Sequence, residues 1–380
     1  MMKTTEMLFD ELVALTLDPC EAFYAQDFQL DSSVYRIFNY RLATYTNFLL
    51  PSAVECRGIM FELDVQNLRV GRLAARPMQK FWNLNENPMT MDLDLTKVDT
   101  VELKADGSLM STYTHNDQLR LKSKGSLFSE QALDAMKWLD LPQNLKFKQA
   151  LAIMDYSGIT INMEWCAPHN RIVIGYAEPH LKVLNARYRA TGTYVHRSVL
   201  ETTFGDHVID RVNTNGLDTA AFVQSIPSMQ DDIEGYVCRI NDLWFKVKTE
   251  KYMSLHHAKD SINNPRRLFE AVVDEGVDDL RSMFAHDELA MKQIDEMQTR
   301  VTAMYNHLVR LVEDYYNANK ANDRKTYAIG AQSLDLNGLR LLGLAMNLYL
   351  GKDPDFKGFL KSKYKELGFR DTATEKSGDE

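Results

Sequence analysis

The chain has 380 residues, 45% of them hydrophobic, which excludes a peptide-sized module and supplies side chains for two or three buried cores. Its 44 Lys and Arg against 53 Asp and Glu leave a formal net charge of −9, so a general basic coat for nucleic acid is excluded and any such contact needs a local basic site. Four isolated cysteines, Cys20, Cys56, Cys166 and Cys238, form no C-x-x-C pair and have no histidine at metal spacing. They argue against a zinc site and a disulfide framework, and for a reducing cytoplasm.

At the N-terminus Glu6, Asp10 and Glu11 interrupt any apolar run, so no signal peptide is expected. Leu8, Phe9, Leu12, Val13 and Leu15 share one face of a short helix. No apolar run approaches the roughly 20 residues that a membrane span needs. From about residue 34 to 250, short apolar or alternating runs bounded by Gly, Pro, Asn and Asp predict strands at 57–63, 69–75, 100–103, 108–115, 118–123, 160–166, 171–176 and 181–187. Two more, 233–240 and 243–249, flank an Asn241-Asp242 turn, and helices are expected at 130–139 and 217–225. Strand follows strand with few helices long enough to be crossovers, which predicts an antiparallel sheet rather than a doubly wound parallel one.

Past about residue 254 strand patterns cease. Ile294, Met297, Val301, Met304, Leu308, Leu311 and Tyr315 fall on one helical stripe, and a second apolar helix is expected at 334–350, after Gly330. The expected fold is therefore α+β: an antiparallel-sheet body at 1–253, an all-helical domain at 254–370 and a polar tail at 371–380.

The segment Leu103-Lys104-Ala105-Asp106-Gly107-Ser108 lies where one expected strand turns into the next. Such a turn can present an amine at the floor of a pocket, although a surface lysine in a hairpin is the commoner reading of so short a pattern. To act as a nucleophile the amine must shed its proton, from a reference pKa near ~10.4, which takes desolvation or neighbouring positive charge. Its companions shift the balance. Ile233-Glu234-Gly235-Tyr236-Val237 starts a strand with an acid and a glycine, and Trp244-Phe245-Lys246-Val247-Lys248 puts both lysines on one face. Two ammonium groups on a half-buried face call for an anion between them, and a phosphate chain suits; a solvated lysine edge is the ordinary alternative. Asn162-Met163-Glu164-Trp165 adds a strand acid that could hold a ribose hydroxyl or a divalent metal, an exposed glutamate being the simpler reading.

In this order, K-x-D-G, acid-bearing strand, E-G and K-x-K, the set resembles the covalent nucleotidyltransferases, and more closely the phage RNA ligases of the T4 tRNA-repair type. Further segments are similar to that family along nearly the whole chain: Tyr35-Arg36-Ile37-Phe38-Asn39-Tyr40, Leu50-Pro51, Glu55-Cys56-Arg57-Gly58-Ile59-Met60-Phe61-Glu62, Arg76-Pro77-Met78-Gln79-Lys80-Phe81, Asn83-Leu84-Asn85-Glu86-Asn87-Pro88, Lys122-Ser123-Lys124-Gly125-Ser126 and Asp323-Arg324-Lys325-Thr326-Tyr327-Ala328. The resemblance implies that Lys104 becomes adenylylated and that Tyr40, Arg57, Lys80, Lys246 and Lys248 hold the ATP phosphates. By the same resemblance Gly107 and Gly235 belong to the nucleotide pocket, Glu164 serves nucleoside and metal, and Lys124, Glu234 and Tyr252 are needed for activity. Glu234 is also a metal position, as is Asp278 of the Asp278-Asp279 pair, although an acidic pair at a helix start is equally a good cap. One departure is plain: the family's Lys-Phe-Phe-Asn has Trp82 for its second Phe, which leaves open what that ring packs on.

The function so implied is an ATP-dependent RNA ligase joining 5′-phosphate and 3′-hydroxyl ends of single-stranded RNA or nicked tRNA. It would work through lysyl-AMP and an adenylylated RNA end, with ATP as AMP donor and Mg²⁺ or Mn²⁺ as the metal. A monomer in the cytoplasm is expected, that of a host cell if the protein is phage-encoded, with the helical domain selecting tRNA. A DNA ligase or capping-type enzyme is the alternative, against which stands the lack of an OB-like run of strands after Lys248. A non-catalytic RNA-binding protein of the same fold is opposed by the intact Lys104, Glu164, Glu234, Lys246 and Lys248. His256-His257, adjacent on a helix, cannot clamp one metal, and Met291, Met297 and Met304 read as core filler. With so few gathered cations, weak overall RNA affinity and salt-sensitive catalysis are expected.

Overall fold

The computed structural model describes residues 3–17, 22–66, 68–170, 173–255, 262 and 264–369. The chain divides into two compact units, Met1–His256 and His257–Glu380. No helix among the described residues is long and apolar enough to cross a membrane. Cys20, the His256-His257 pair and the tail at 371–380 lie outside the described residues; Cys56, Cys166 and Cys238 are buried free thiols.

The first unit opens with α1 (Thr5–Thr16), capped by Thr4, whose side chain accepts from the Met7 N–H. Its apolar face sets Phe9 edge-on against Phe38 and Phe61, with ring centroids 5.5 and 5.1 Å apart. Those partners come from a first antiparallel sheet in sequence order: β1 (Phe23–Leu30), β2 (Ser33–Tyr40), β3 (Ile59–Leu63) and β4 (Val70–Ala75). There follow β5 (Trp82–Asn83), β6 (Thr100–Leu103), β7 (Ser108–His115), β8 (Gln118–Ser123), α2 (Glu130–Leu139), α3 (Leu145–Tyr156), β9 (Ile159–Cys166), β10 (His180–Tyr188), α4 (Arg197–Phe204), α5 (Thr219–Ser225), β11 (Gly235–Ile240), β12 (Leu243–Lys248) and α6 (Glu250–Leu255). They make a second sheet in the order β10-β9-β7-β8 and a third in the order β5-β12-β11-β6. Helices α2 and α3 cover the second sheet, where Ala135, Leu139, Phe147 and Leu151 pack with Ile161, Met163 and Trp165.

The sheets are antiparallel, as expected, with one parallel seam where the two-residue β5 pairs with β12, Phe245 opposite Trp82 and Lys246 opposite Asn83. One expectation for this unit is corrected. The strand expected at 171–176 does not form over its described part, 173–176. The N–H groups of Val173 and Ile174 donate to the Asp106 carboxylate instead of to a ladder.

The second unit contains α7 (Pro265–Val273), α8 (Val277–Met283), the 32-residue α9 (Glu288–Asn319), α10 (Arg324–Ala331), β13 (Asp335–Leu336), β14 (Leu339–Arg340), α11 (Leu342–Tyr349) and α12 (Phe356–Ser362). Asp287 caps α9, whose stripe buries Ile294, Met297, Val301 and Leu308 and half-buries Met304, Leu311 and Tyr315. The helix expected at 334–350 is corrected to a hairpin followed by a shorter helix. Asn337 and Gly338 take φ of 52° and 84°, which turns β13 into β14 and delays the helix to Leu342. Strand structure thus does not cease at 254.

Candidate active site

The chain crosses from the third sheet to the second between β6 and β7, and the crossover is Lys104-Ala105-Asp106-Gly107. The Lys104 N–H donates to the Gly235 carbonyl at 2.9 Å, tying the loop to the start of β11. Asp106, 2% exposed, is fully engaged. One carboxylate oxygen accepts from the Val173 and Ile174 N–H groups at 2.8 and 2.7 Å, the other from the Tyr252 hydroxyl at 2.8 Å. Its own N–H donates to the Tyr176 hydroxyl at 2.9 Å. Gly107 has no room for a side chain, since a Cβ there would lie 2.3 Å from the Trp165 carbonyl oxygen. Gly235 combines a φ of +147° with a Cβ position 2.0 Å from the Val247 carbonyl. Both glycines let strands approach around the lysine.

Glu234 joins two of the lysines. Its Oε2 lies 2.6 Å from Lys104 Nζ and its Oε1 3.2 Å from Lys248 Nζ, with the carboxylate only 4% exposed. Burial of Phe245 and Val247 turns Lys246 and Lys248 to the opposite face of β12. Glu164, on β9 opposite Leu109 and Lys182, is half-buried. Burial pushes its carboxyl up to about 7, with Glu234 and Asp106 adding to the rise and Lys104 and Arg57 opposing it. The Arg57 Nη1 is buried and, among the described residues, has no hydrogen-bond partner. A buried cationic donor in that state is one that an anion would satisfy.

A second cluster gathers on Tyr40 at the end of β2. Lys124 Nζ stands 4.1 Å and Lys80 Nζ 5.7 Å from the centre of its ring, and Lys248 Nζ stands 5.2 Å from that of Tyr252. Behind Tyr40, Phe48 packs at 5.0 Å, and Trp82, 4% exposed, packs on Phe48 at 6.0 Å and Tyr45 at 5.9 Å. The tryptophan therefore sits in the core behind the cluster.

The structure thus joins Lys104, Glu234, Lys248 and Tyr252 by direct contacts, with Glu164 and Arg57 in electrostatic reach. Tyr40, Lys80 and Lys124 form their own group, and Lys246 lies opposite Val237 and Asn83. Asp278 lies in the first turn of α8, in the second unit. Among the described residues no group of three or more His, Cys, Asp or Glu could hold a metal. Asp106 and Glu234 have their oxygens engaged, so Glu164 is the carboxylate suited to a divalent ion that brings phosphate and water oxygens with it.

Sequence reasoning overlooked the role of Glu55. This carboxylate, 6% exposed, takes both Arg187 Nη atoms at 2.9 Å, Arg76 at 3.0 Å and Gln79 at 2.9 Å. Burial opposes its ionisation, yet the guanidiniums of Arg187 and Arg76 hold it down at about 2. The network braces the segments flanking Arg57 and Lys80, and its central partners are 132 residues apart, beyond any local pattern.

A family model described as RNA ligase matches residues 55–253, and one described as T4 RNA ligase 1, C-terminal domain, matches residues 259–362. The chain is 23% identical over 288 residues to a candidate RNA ligase of Thermovibrio ammonificans, covering 72% of each chain. It is 26% identical over 262 residues to a candidate bifunctional polynucleotide kinase/RNA ligase of Autographa californica nuclear polyhedrosis virus, covering 64% of this chain and 36% of the viral protein. Among solved structures, an archaeal ATP-dependent RNA ligase matches with a TM-score of 0.46 and 11% identity, over 80% of this chain and 79% of that one. A lysine variant of Naegleria gruberi RNA ligase with ATP and Mn matches with a TM-score of 0.37 and 17% identity, over 49% of this chain and 61% of that one.

Proposed function

Because the chain belongs to the T4-type RNA ligase family, we propose that it seals 5′-phosphate and 3′-hydroxyl ends of single-stranded RNA with ATP, through a covalent adenylate on Lys104. The observation that carries this reading is the lysine itself, set at the crossover of two sheets with its Nζ 2.6 Å from Glu234 and a second cation on the far oxygen of that carboxylate.

Lys104 Nζ attacks the α-phosphorus of ATP; a nitrogen–phosphorus bond forms, the bond to the β-phosphate oxygen breaks and pyrophosphate leaves. Before the attack the ammonium gives one proton to Glu234 Oε2, the acceptor within hydrogen-bond reach, and the second proton, shed from nitrogen as the N–P bond forms, leaves with pyrophosphate. Arg57, Lys80, Lys246 and Lys248 neutralise the departing charge, and the unpartnered Nη1 of Arg57 gains its acceptor. A divalent ion held by Glu164 and phosphate oxygens would supply further charge neutralisation at the α-phosphate. The 5′-phosphate of an RNA end then attacks the same phosphorus, the nitrogen is protonated and leaves as the Lys104 amine, and with one proton returned by Glu234 and one from solvent the ammonium is restored. Lastly a 3′-hydroxyl attacks the activated 5′-phosphate, a phosphodiester forms and AMP departs. The second unit is the place where tRNA ends would be selected, with Asp278 a further metal position, and the enzyme acts as a cytoplasmic monomer.

Incubation with α-labelled ATP and a divalent metal tests the reading. Wild type is expected to carry label and Lys104→Ala none; equal labelling of the two ends it. Preferential joining of DNA over RNA ends would transfer the chemistry to another substrate. Sealing of cleaved anticodon loops no better than of plain linear RNA would remove the tRNA assignment.

A further inference from the structure

Lys122, on β8, is completely buried at 0% exposure and plays no part in the steps above. Among the described residues no carboxylate pairs with its ammonium. Its Nζ instead donates at 2.8 Å to two backbone carbonyls, those of Gly58 and Ser123. A long cationic side chain sealed from water with only two neutral acceptors is costly to keep, and burial pushes it down to about 7. The two carbonyls identify what it holds. Gly58 follows Arg57 and precedes β3; Ser123 ends β8 and precedes Lys124.

The fit around this pin is tight. Gly58 takes a φ of +91°, and a Cβ there would fall 2.5 Å from the Lys124 carbonyl oxygen and 3.2 Å from Lys122 Nζ. The Gly58 N–H donates to Phe38 at 2.9 Å, which attaches the same point to β2, two residues before Tyr40. One ammonium therefore spans the chain segment carrying Arg57 and the segment carrying Lys124, whose Nζ rests 4.1 Å from the Tyr40 ring centre.

We propose that Lys122 is a positioning residue for ATP use: its bridge between Gly58 and Ser123 fixes the Arg57 segment against the Lys124 segment, and thereby the place of Arg57 among the phosphate-binding cations. The inference rests on the reading given above, in which Arg57 faces the triphosphate. It separates the steps of the reaction. Adenylylation of Lys104 needs the triphosphate gripped, whereas joining from RNA already adenylylated at its 5′ end involves no triphosphate.

The test compares wild type, Lys122→Met and Lys122→Gln, each checked for folding by thermal denaturation. Lys122→Met is expected to raise the ATP concentration for half-maximal Lys104 labelling about tenfold or more, while joining of pre-adenylylated RNA changes less than threefold. Lys122→Gln, which keeps a donor for a carbonyl, is expected to recover part of the ATP dependence. An unchanged ATP dependence in folded Lys122→Met overturns the proposal, as does an equal loss in both steps or a failure of both variants to fold, since each marks a general scaffold residue. Absence of label on wild type would instead remove the ligase reading itself, so the two failures are distinguishable.

Discussion

Glu55 and Glu164 are glutamates of the first unit, the one buried and the other half-buried, and their surroundings drive them in opposite directions. Glu55 meets two guanidiniums head-on and is held at about 2; Glu164 is pushed up to about 7 by burial, its neighbour Lys104 being paired with Glu234. In the function proposed above, the difference separates a brace from a working group. A carboxylate with a full complement of fixed donors gains nothing from a ligand, whereas one left short of positive charge is poised to change protonation or accept a metal near neutral pH.

The largest effect that would break this contrast is at the brace. Glu55→Gln leaves Arg187, 1% exposed, and Arg76 without their counter-charge and is expected to cost about 3–5 kcal/mol in urea unfolding. A variant as stable as wild type would make Glu55 dispensable and the contrast empty. Glu164→Gln should do the reverse: stability kept or raised, Lys104 labelling reduced on the order of 10²-fold. Loss of stability with labelling intact would exchange the two roles.

The pH dependence of stability sharpens the comparison because the signs oppose. The Glu55 carboxyl lies below its ordinary value of 4.5, so its contribution is present above that pH and is lost as pH falls through about 2. The Glu164 carboxyl lies above its ordinary value, so its contribution is complete below 4.5 and is lost as pH rises through about 7. Wild type should therefore lose urea resistance relative to Glu164→Gln between pH 4.5 and 7, and parallel curves would refute the assignment. The smallest effect is expected at Trp82. Substitution by Phe there changes volume behind Phe48 and should cost about 1 kcal/mol or slightly more, with labelling retained.

The elements that were legible in the sequence are those whose signals are local. Strands β6, β7 and β8 and helix α2 coincide with their expected limits because alternation or 3.6-residue spacing is strong and turn residues bound them. Edge strand β1 was missed since its middle, around Gln26 and Asp27, faces water and breaks the alternation. Two residues of β5 carry no period at all, so its parallel pairing is a product of tertiary structure. At the site, Lys104, Glu234 and Lys248 stood out by motif. The grip of Tyr252 on Asp106 joins residues 146 apart, Glu55 meets Arg187 across 132 residues, and Lys122 meets Gly58 across 64. Distance in sequence hides a partner even where the residue itself is conspicuous.

The third sheet, with β5 and β6 from early in the chain and β11 and β12 from beyond residue 234, has a consequence for biosynthesis. Lys104 leaves the ribosome 130 residues before the carboxylate that holds it. At translation speeds of roughly 5–20 residues per second, that is an interval on the order of ten seconds in which the nascent lysine has neither its partner nor its pocket. A growing chain, or one truncated before β12, therefore cannot assemble the Lys104 site, and the nucleotide chemistry proposed for it would begin only with a nearly complete first unit.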